Sequence, residues 1–238
     1  MQRSDLRQAV RATRDFALNR RLRAINAAQE EQPRQLNERP VEYRYALDRL
    51  VKAEAHSVLD VGTGTTAWPA VLADAGYQVT AIDDPSVYWG GSLTNRHWRV
   101  RTEDIIATTL PAASFDAVTC ISVLEHITKH QAAMAAMLRL VRPGGIVILT
   151  GPWNETTYVP DAYRMRDAGY GQDAPYITQV FSRAQLVEWE AAGGQTIDRE
   201  YYQVFTGPLW TQGERLRPPQ PATVDSMHHL IALTIQRS

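Results

Sequence analysis

The chain has 238 residues and a formal net charge of -1, with 44% hydrophobic and 21% charged residues, the balance of a globular protein with a sizeable core. So small a net charge supplies no bulk field toward nucleic acid or an anionic membrane, and a lone cysteine, Cys120, excludes an intramolecular disulfide and a multi-cysteine zinc site. No apolar run approaches the roughly 20 residues that cross a bilayer, and Met1 to Asp5 lack the apolar segment of a secretory signal, so no membrane span and a cytoplasmic location are expected.

Residues 4 to 28 read as a helix, with Leu6, Val10, Phe16, Ala17, Leu22 and Ile25 forming an imperfect stripe among arginines from Arg3 to Arg23. Pro33 and Pro40 interrupt it, and a second helix is predicted from about Val41 to Ala55. Residues 1–55 are therefore expected to form a helical extension or lid, and residues 56–238 a ligand-binding domain. The period changes at His56. His56 to Val61 is a short, largely apolar run ending in Gly62-Thr63-Gly64, as a strand buried on both faces reads. A helix follows over 68–75, with Pro69 suited to its first turn and Gly76 to its stop. Further strands are expected over 78–83, near 99–101 and over 115–121; residues 130–141 form an amphipathic helix through Met134, Met137, Leu138 and Val141; and Ile146 to Thr150 is the fifth strand.

Beyond Thr150 the rhythm loosens. Residues 151–181 and 206–225 read as insertions on the substrate side, a helix runs from Ser182 to Gly193-Gly194, and strands near 196–202 and 230–235 complete the sheet. Alternating strands and helices predict an α/β fold: a seven-stranded, mostly parallel sheet with helices on both faces.

The chemistry concentrates around the first strand. A chain leaving a strand for a helix opens room for a nucleotide-like ligand at the strand's carboxyl end. Gly62 and Gly64 let the backbone approach that ligand closely. Asp83, at the end of the next strand, suits a carboxylate that accepts from both ribose hydroxyls, with Asp84 beside it. Gly62-x-Gly64-x-x-Ala67 also fits a loose dinucleotide fingerprint, so an NAD(P)-dependent oxidoreductase stays open on this motif alone.

The downstream order separates these readings. Asp60-x-Gly62-x-Gly64, then Asp104-Ile105, Leu110-Pro111, Ser114-Phe115-Asp116, Leu124-Glu125-His126 and Leu138-x-x-Val141-Arg142-Pro143-Gly144-Gly145 resemble, in sequence, the class I Rossmann-like S-adenosylmethionine-dependent methyltransferases of the ubiquinone-biosynthesis type. The resemblance covers Val58 to Thr150; Thr66 stands where a third glycine is frequent. It implies S-adenosyl-L-methionine as donor, with S-adenosyl-L-homocysteine as product. Asp60, Gly62 and Gly64 are then expected to line its methionine and ribose portion, Asp83 to bind the ribose diol, and Asp104 and Ile105 to meet the adenine. Ile121 and Ser122 are expected beside the sulfonium. Some relatives bind a divalent metal through Glu-x-x-Glu-His; Ser122 occupies the first of those positions here, so no metal is expected.

Methyl transfer from a sulfonium needs alignment and dryness more than a base, and a base only when the acceptor must lose a proton. His126 is the candidate for that proton. Glu125 is expected to open a helix as a residue favoured at its positive end. Trp153, Tyr158 and Tyr163 are candidates for acceptor contacts, with Trp210 and Tyr201-Tyr202 as a further aromatic wall. The segment after the fourth strand lacks the Asn/Asp-Pro-Pro-Tyr element of enzymes that methylate nucleic-acid bases, so a small molecule, sugar or lipid-linked acceptor is expected and nucleic acid is not. A donor-binding but catalytically silent regulatory subunit is the remaining alternative, and the oligomeric state, homodimer included, is left open.

Overall fold

The computed structural model describes residues 37–84 and 95–238. The expected helix over 4–28 and residues 85–94 of the loop after Asp84 lie outside the described residues.

The first described helix, α1 (Arg39–Lys52), starts with a proline in its first turn and carries Glu42 near its positive end and Arg49 and Lys52 near its negative end. Its buried stripe is Glu42, Tyr45, Ala46, Arg49 and Leu50, the i, i+3, i+4, i+7, i+8 spacing of one helix face. The strands are β1 (Ser57–Val61), β2 (Gln78–Asp83), β3 (Arg101–Thr102), β4 (Phe115–Ile121), β5 (Val141–Pro152), β6 (Gly194–Phe205), β7 (Arg215–Ala222) and β8 (Leu230–Arg237). Between them lie α2 (Trp68–Asp74), α3 (His130–Leu140) and α4 (Arg183–Ala191).

These strands form one sheet in the order β3-β2-β1-β4-β5-β8-β6-β7. The first five run parallel, and β8, β6 and β7 add by antiparallel pairing. The sheet thus has eight strands, not the expected seven. The additional strand, β7, falls inside the segment 206–225 that reads as an irregular insertion. Pro218, Pro219 and Pro221 cannot donate to a ladder, which conceals the strand in the sequence and confines it to the sheet edge.

Successive residues of each strand face opposite layers. Leu59, Val61, Val118, Cys120, Val147 and Leu149 pack with Met134, Met137 and Leu138 of α3 and Leu186 and Trp189 of α4. Val58, Ala117, Ile121, Ile146 and Ile148 pack on the other face with Tyr45 and Leu50 of α1 and Trp68 and Leu72 of α2. The strand order reverses between β1 and β4, and there the carboxyl ends of the two strands diverge and open a crevice.

Candidate functional site

Two cavities meet at that crevice. The first, about 300 Å³, is lined by Asp60 to Thr66, Trp68, Asp83, Ile121 to Val123, His126 and Tyr176, with Arg39 and Tyr43 reaching in from α1. The second, about 370 Å³, is lined by Ile82 to Asp84, Glu103 to Ile106, Val123 and His126 to Lys129. Val61, Gly62, Asp83, Val123 and His126 line both, so the two are halves of one cleft.

The turn after β1 holds the two halves together. Gly62 has φ +73°, and a Cβ there would overlap the methyl groups of Val123. Only glycine fits this close approach of the turn to the β4 loop. The Gly64 N–H donates to Asp83 Oδ2 at 2.6 Å, which pins the carboxylate of β2 beneath the turn. On the outer side, Asn95 Nδ2 donates to the carbonyls of Gly64 and Thr66 at 3.0 and 2.9 Å. Asp60 is buried and accepts from the Thr63 and Thr119 hydroxyls at 2.7 and 2.8 Å. Trp68 in turn donates its Nε1–H to Thr119, and its ring stacks on Tyr43 with centroids 4.4 Å apart.

A buried polar network closes one end of the cleft. Glu42 of α1 is fully buried; its Oε1 accepts from Ser122 Oγ at 2.6 Å and Thr150 Oγ1 at 2.7 Å, and its Oε2 pairs with Arg39 at 2.7 Å. Ser122 takes the left-handed φ of +50°, held by its N–H donating to Thr150 O and Oγ1. A non-glycine residue in that region is strained and persists only where its neighbours over-determine it. The helix thereby fixes the β4 exit loop.

Burial decides the charges. Desolvation pushes Asp60 up to about 7, opposed by the bonds from Thr63 and Thr119. Desolvation also raises Asp83, against the opposing pull of backbone bonds from Gly64 and Asp84. It drives the buried Glu125 up to about 8. His126 is lowered by desolvation and therefore stays neutral near pH 7. Its Nδ1–H donates to the Ile177 carbonyl at 2.7 Å, which leaves Nε2 as the acceptor nitrogen of the ring. Burial opposes the charge of Arg39, but the carboxylates of Glu42 and Glu38 more than restore it, so Arg39 is a fixed cation at this end of the cleft.

The profile of the family described as "Methyltransferase domain" matches residues 30–197, well over half of the chain and all of this cleft. The chain belongs to that family. Its curated relatives include ubiquinone biosynthesis O-methyltransferases: one from Xanthomonas oryzae pv. oryzae (strain PXO99A) is 36% identical over 152 residues, 60% of this chain and 59% of the relative. Another, from Pseudomonas fluorescens (strain Pf0-1), is 28% identical over 169 residues, 63% of this chain and 69% of the relative. The match thus spans about three fifths of the Xanthomonas protein's length. Among solved structures, the 1,6-didemethyltoxoflavin-N1-methyltransferase of Burkholderia thailandensis, with 1,6-didemethyltoxoflavin and S-adenosylhomocysteine bound, shares the fold with a TM-score of 0.57 at 17% identity, over 82% of this chain and 77% of that one. A SAM-dependent methyltransferase from Archaeoglobus fulgidus gives 0.55 at 12% identity, over 82% and 94%.

Within this methyltransferase domain the residues singled out from the sequence fall into place unevenly. Asp60, Gly62, Gly64, Asp83, Ile121 and Ser122 line the first half of the cleft, and Asp83, Asp84, Asp104 and Ile105 the second. Asp104 Oδ1 accepts from the Ile106 N–H at 2.9 Å. His126 borders both halves. Trp153 does not reach the cleft: it is buried in the core with its Nε1–H on Glu155. Tyr158 is exposed and donates to Gln179, and Tyr163 stands one ring behind Tyr176, 6.1 Å away. Trp210, Tyr201 and Tyr202 are likewise buried. Glu125 and His126 do not begin the fourth helix: they end a separate 3-10 turn, Leu124–His126, and α3 starts only at His130. Arg39, Tyr43, Glu42 and Tyr176 were not legible as site residues. The one available signal was Glu42, a carboxylate on the apolar stripe of its helix.

Proposed function

We propose that this domain transfers a methyl group from S-adenosyl-L-methionine to a hydroxyl of a small-molecule acceptor. The observation that carries the reading is the ordered set of carboxylates at successive strand ends, Asp60, Asp83 and Asp104, along one cleft that crosses the sheet's switch point. Their spacing suits the donor's three parts. Asp104 accepts from the adenine amino group while Ile105 offers its backbone N–H in the second half of the cleft. Asp83, pinned at the junction, accepts from the ribose diol. Asp60 and the Arg39 cation take the charged amino-acid tail in the first half.

When bound, the donor supplies a methyl group already activated by its sulfonium charge. The chain's residues align and dry the site. Val123, pressed against Gly62, fixes the divide between the two halves. Ser122, locked by Glu42 and Thr150, sets the β4 exit beside the reacting end. His126, kept neutral by desolvation and bordering both halves of the cleft, is the residue through which the incoming hydroxyl's proton is met. The likeness to O-methyltransferases supports a hydroxyl-bearing small molecule as the acceptor class. Incubation with methyl-labelled donor and a pool of extracted metabolites tests this: label should appear in an ether product, and label only in nucleic acid or protein would overturn the acceptor class.

A further inference from the structure

Glu125 has a feature that donor binding alone does not use. It is 3% exposed, and its Oε2 has no hydrogen-bond partner. An unpartnered buried carboxyl is costly, and native proteins seldom keep one without use. Gly151, at the end of β5, makes room for it: a Cβ there would stand 3.2 Å from Oε2. Its Oε1 lies 3.9 Å from Nε2 of His126, which borders both halves of the cleft.

Among the described residues, charged and titratable groups face it from several elements. On α1 and its approach these are Glu42, Arg39 and Glu38; on β4, the Cys120 thiol; on the segment after β5, the Tyr163 hydroxyl; on its own turn, His126. Arg39 is a cation paired with Glu42, and His126 is held neutral by desolvation. Among the described residues, the positive charge acting on Glu125 is that of Arg39, already engaged by Glu42.

We propose that Glu125 is the proton store of the reaction, ionised when the positively charged donor occupies the cleft and reloaded by the acceptor's proton as the donor becomes neutral. The inference rests on the methyl-transfer reading above. Its balance is complete. The acceptor's O–H bond breaks and its proton ends on the Glu125 carboxylate. A C–O bond forms to the methyl carbon, and the carbon–sulfur pair leaves on a neutral thioether. A cation and a carboxylate become two neutral groups. Binding of the next donor molecule expels the stored proton to solvent.

The test needs no acceptor. Calorimetric titration of the full chain at pH 7.5, in phosphate and in Tris, counts the protons released when S-adenosylmethionine or S-adenosylhomocysteine binds. A carboxyl with a pKa of about 8 is roughly three-quarters protonated at that pH. About half a proton or more is expected to be released with the sulfonium ligand and less than about 0.2 with the thioether. In Glu125→Gln the difference should vanish while the sulfonium ligand still binds. Equal release by both ligands in the unaltered chain would overturn the proposal, and this arm depends on no variant folding. So would a difference that survives in Glu125→Gln and disappears in Asp60→Asn, which would make Asp60 the titrating group. Failure of both ligands to bind would instead remove the methyl-transfer reading itself.

Discussion

Asp83 and Gly62 carry the account at the scale of single residues. Asp83 is held by the Gly64 N–H, so its carboxylate is pre-oriented before a ligand arrives. Asp83→Ala should weaken S-adenosylmethionine binding about 10- to 100-fold by removing charge-assisted bonds, each worth about 1.5–3 kcal/mol, while the melting temperature moves little. Unchanged affinity in a titration would take Asp83 out of the site. Gly62→Ala combines a left-handed φ with overlap against Val123, so it should cost about 2–4 kcal/mol of stability in chemical denaturation as well as the donor affinity. These two residues were legible because their chemistry is local: a glycine turn and a carboxylate at a strand end. Glu125 was visible as a letter but not as an environment. Its neighbours come from β4, from the end of β5 and from α1, at sequence distances that no local pattern encodes.

At the scale of elements, α1 is the part whose role periodicity could not supply. A helical stripe says that a face is buried, not against what. Here the stripe includes Glu42, and burial of that carboxylate is tolerable only because Ser122, Thr150 and Arg39 answer it. Glu42→Ala should destabilise the fold by about 2–4 kcal/mol, since it orphans two buried hydroxyls and a cation and releases the strained Ser122; Glu42→Gln, which keeps the hydroxyl bonds, should cost less. Thermal unfolding of the pair checks this, and equal melting temperatures for both variants and the unaltered chain would contradict it. The strands of the donor half were readable because parallel strands buried on both faces appear as apolar runs. β7 was not, because its prolines and arginines read as loop, and only its edge position makes them acceptable.

At the scale of the whole molecule, the domain keeps two buried carboxyls, Asp60 at about 7 and Glu125 at about 8, well above their unfolded values. The sign follows directly. Between roughly pH 4 and 8 the folded state holds protons that the unfolded chain has released, so these groups stabilise at low pH and that stability is lost as pH rises through their folded values. Desolvated histidines oppose this below neutrality: the half-buried His126 and the buried His130 and His229 are lowered by desolvation and favour the fold as pH rises through the ordinary histidine range. The clean comparison is therefore between the unaltered chain and Glu125→Gln, whose relative stability should increase by about 1–3 kcal/mol between pH 6 and pH 9. A constant difference across that range would mean that Glu125 does not titrate there.

All of this stands on one claim, that the cleft across the switch point is built for a sulfonium nucleoside rather than a dinucleotide. Glycines and a carboxylate after β1 and β2 serve either ligand, and what favours the first is Asp60 before the turn together with Arg39 from α1 at its far end. Calorimetric titration of the purified chain with S-adenosylmethionine, S-adenosylhomocysteine and NAD decides it most directly. One site per chain is expected for the first two, competing with each other, and no heat of binding for NAD; saturable NAD binding with neither sulfur ligand bound would overturn the donor assignment.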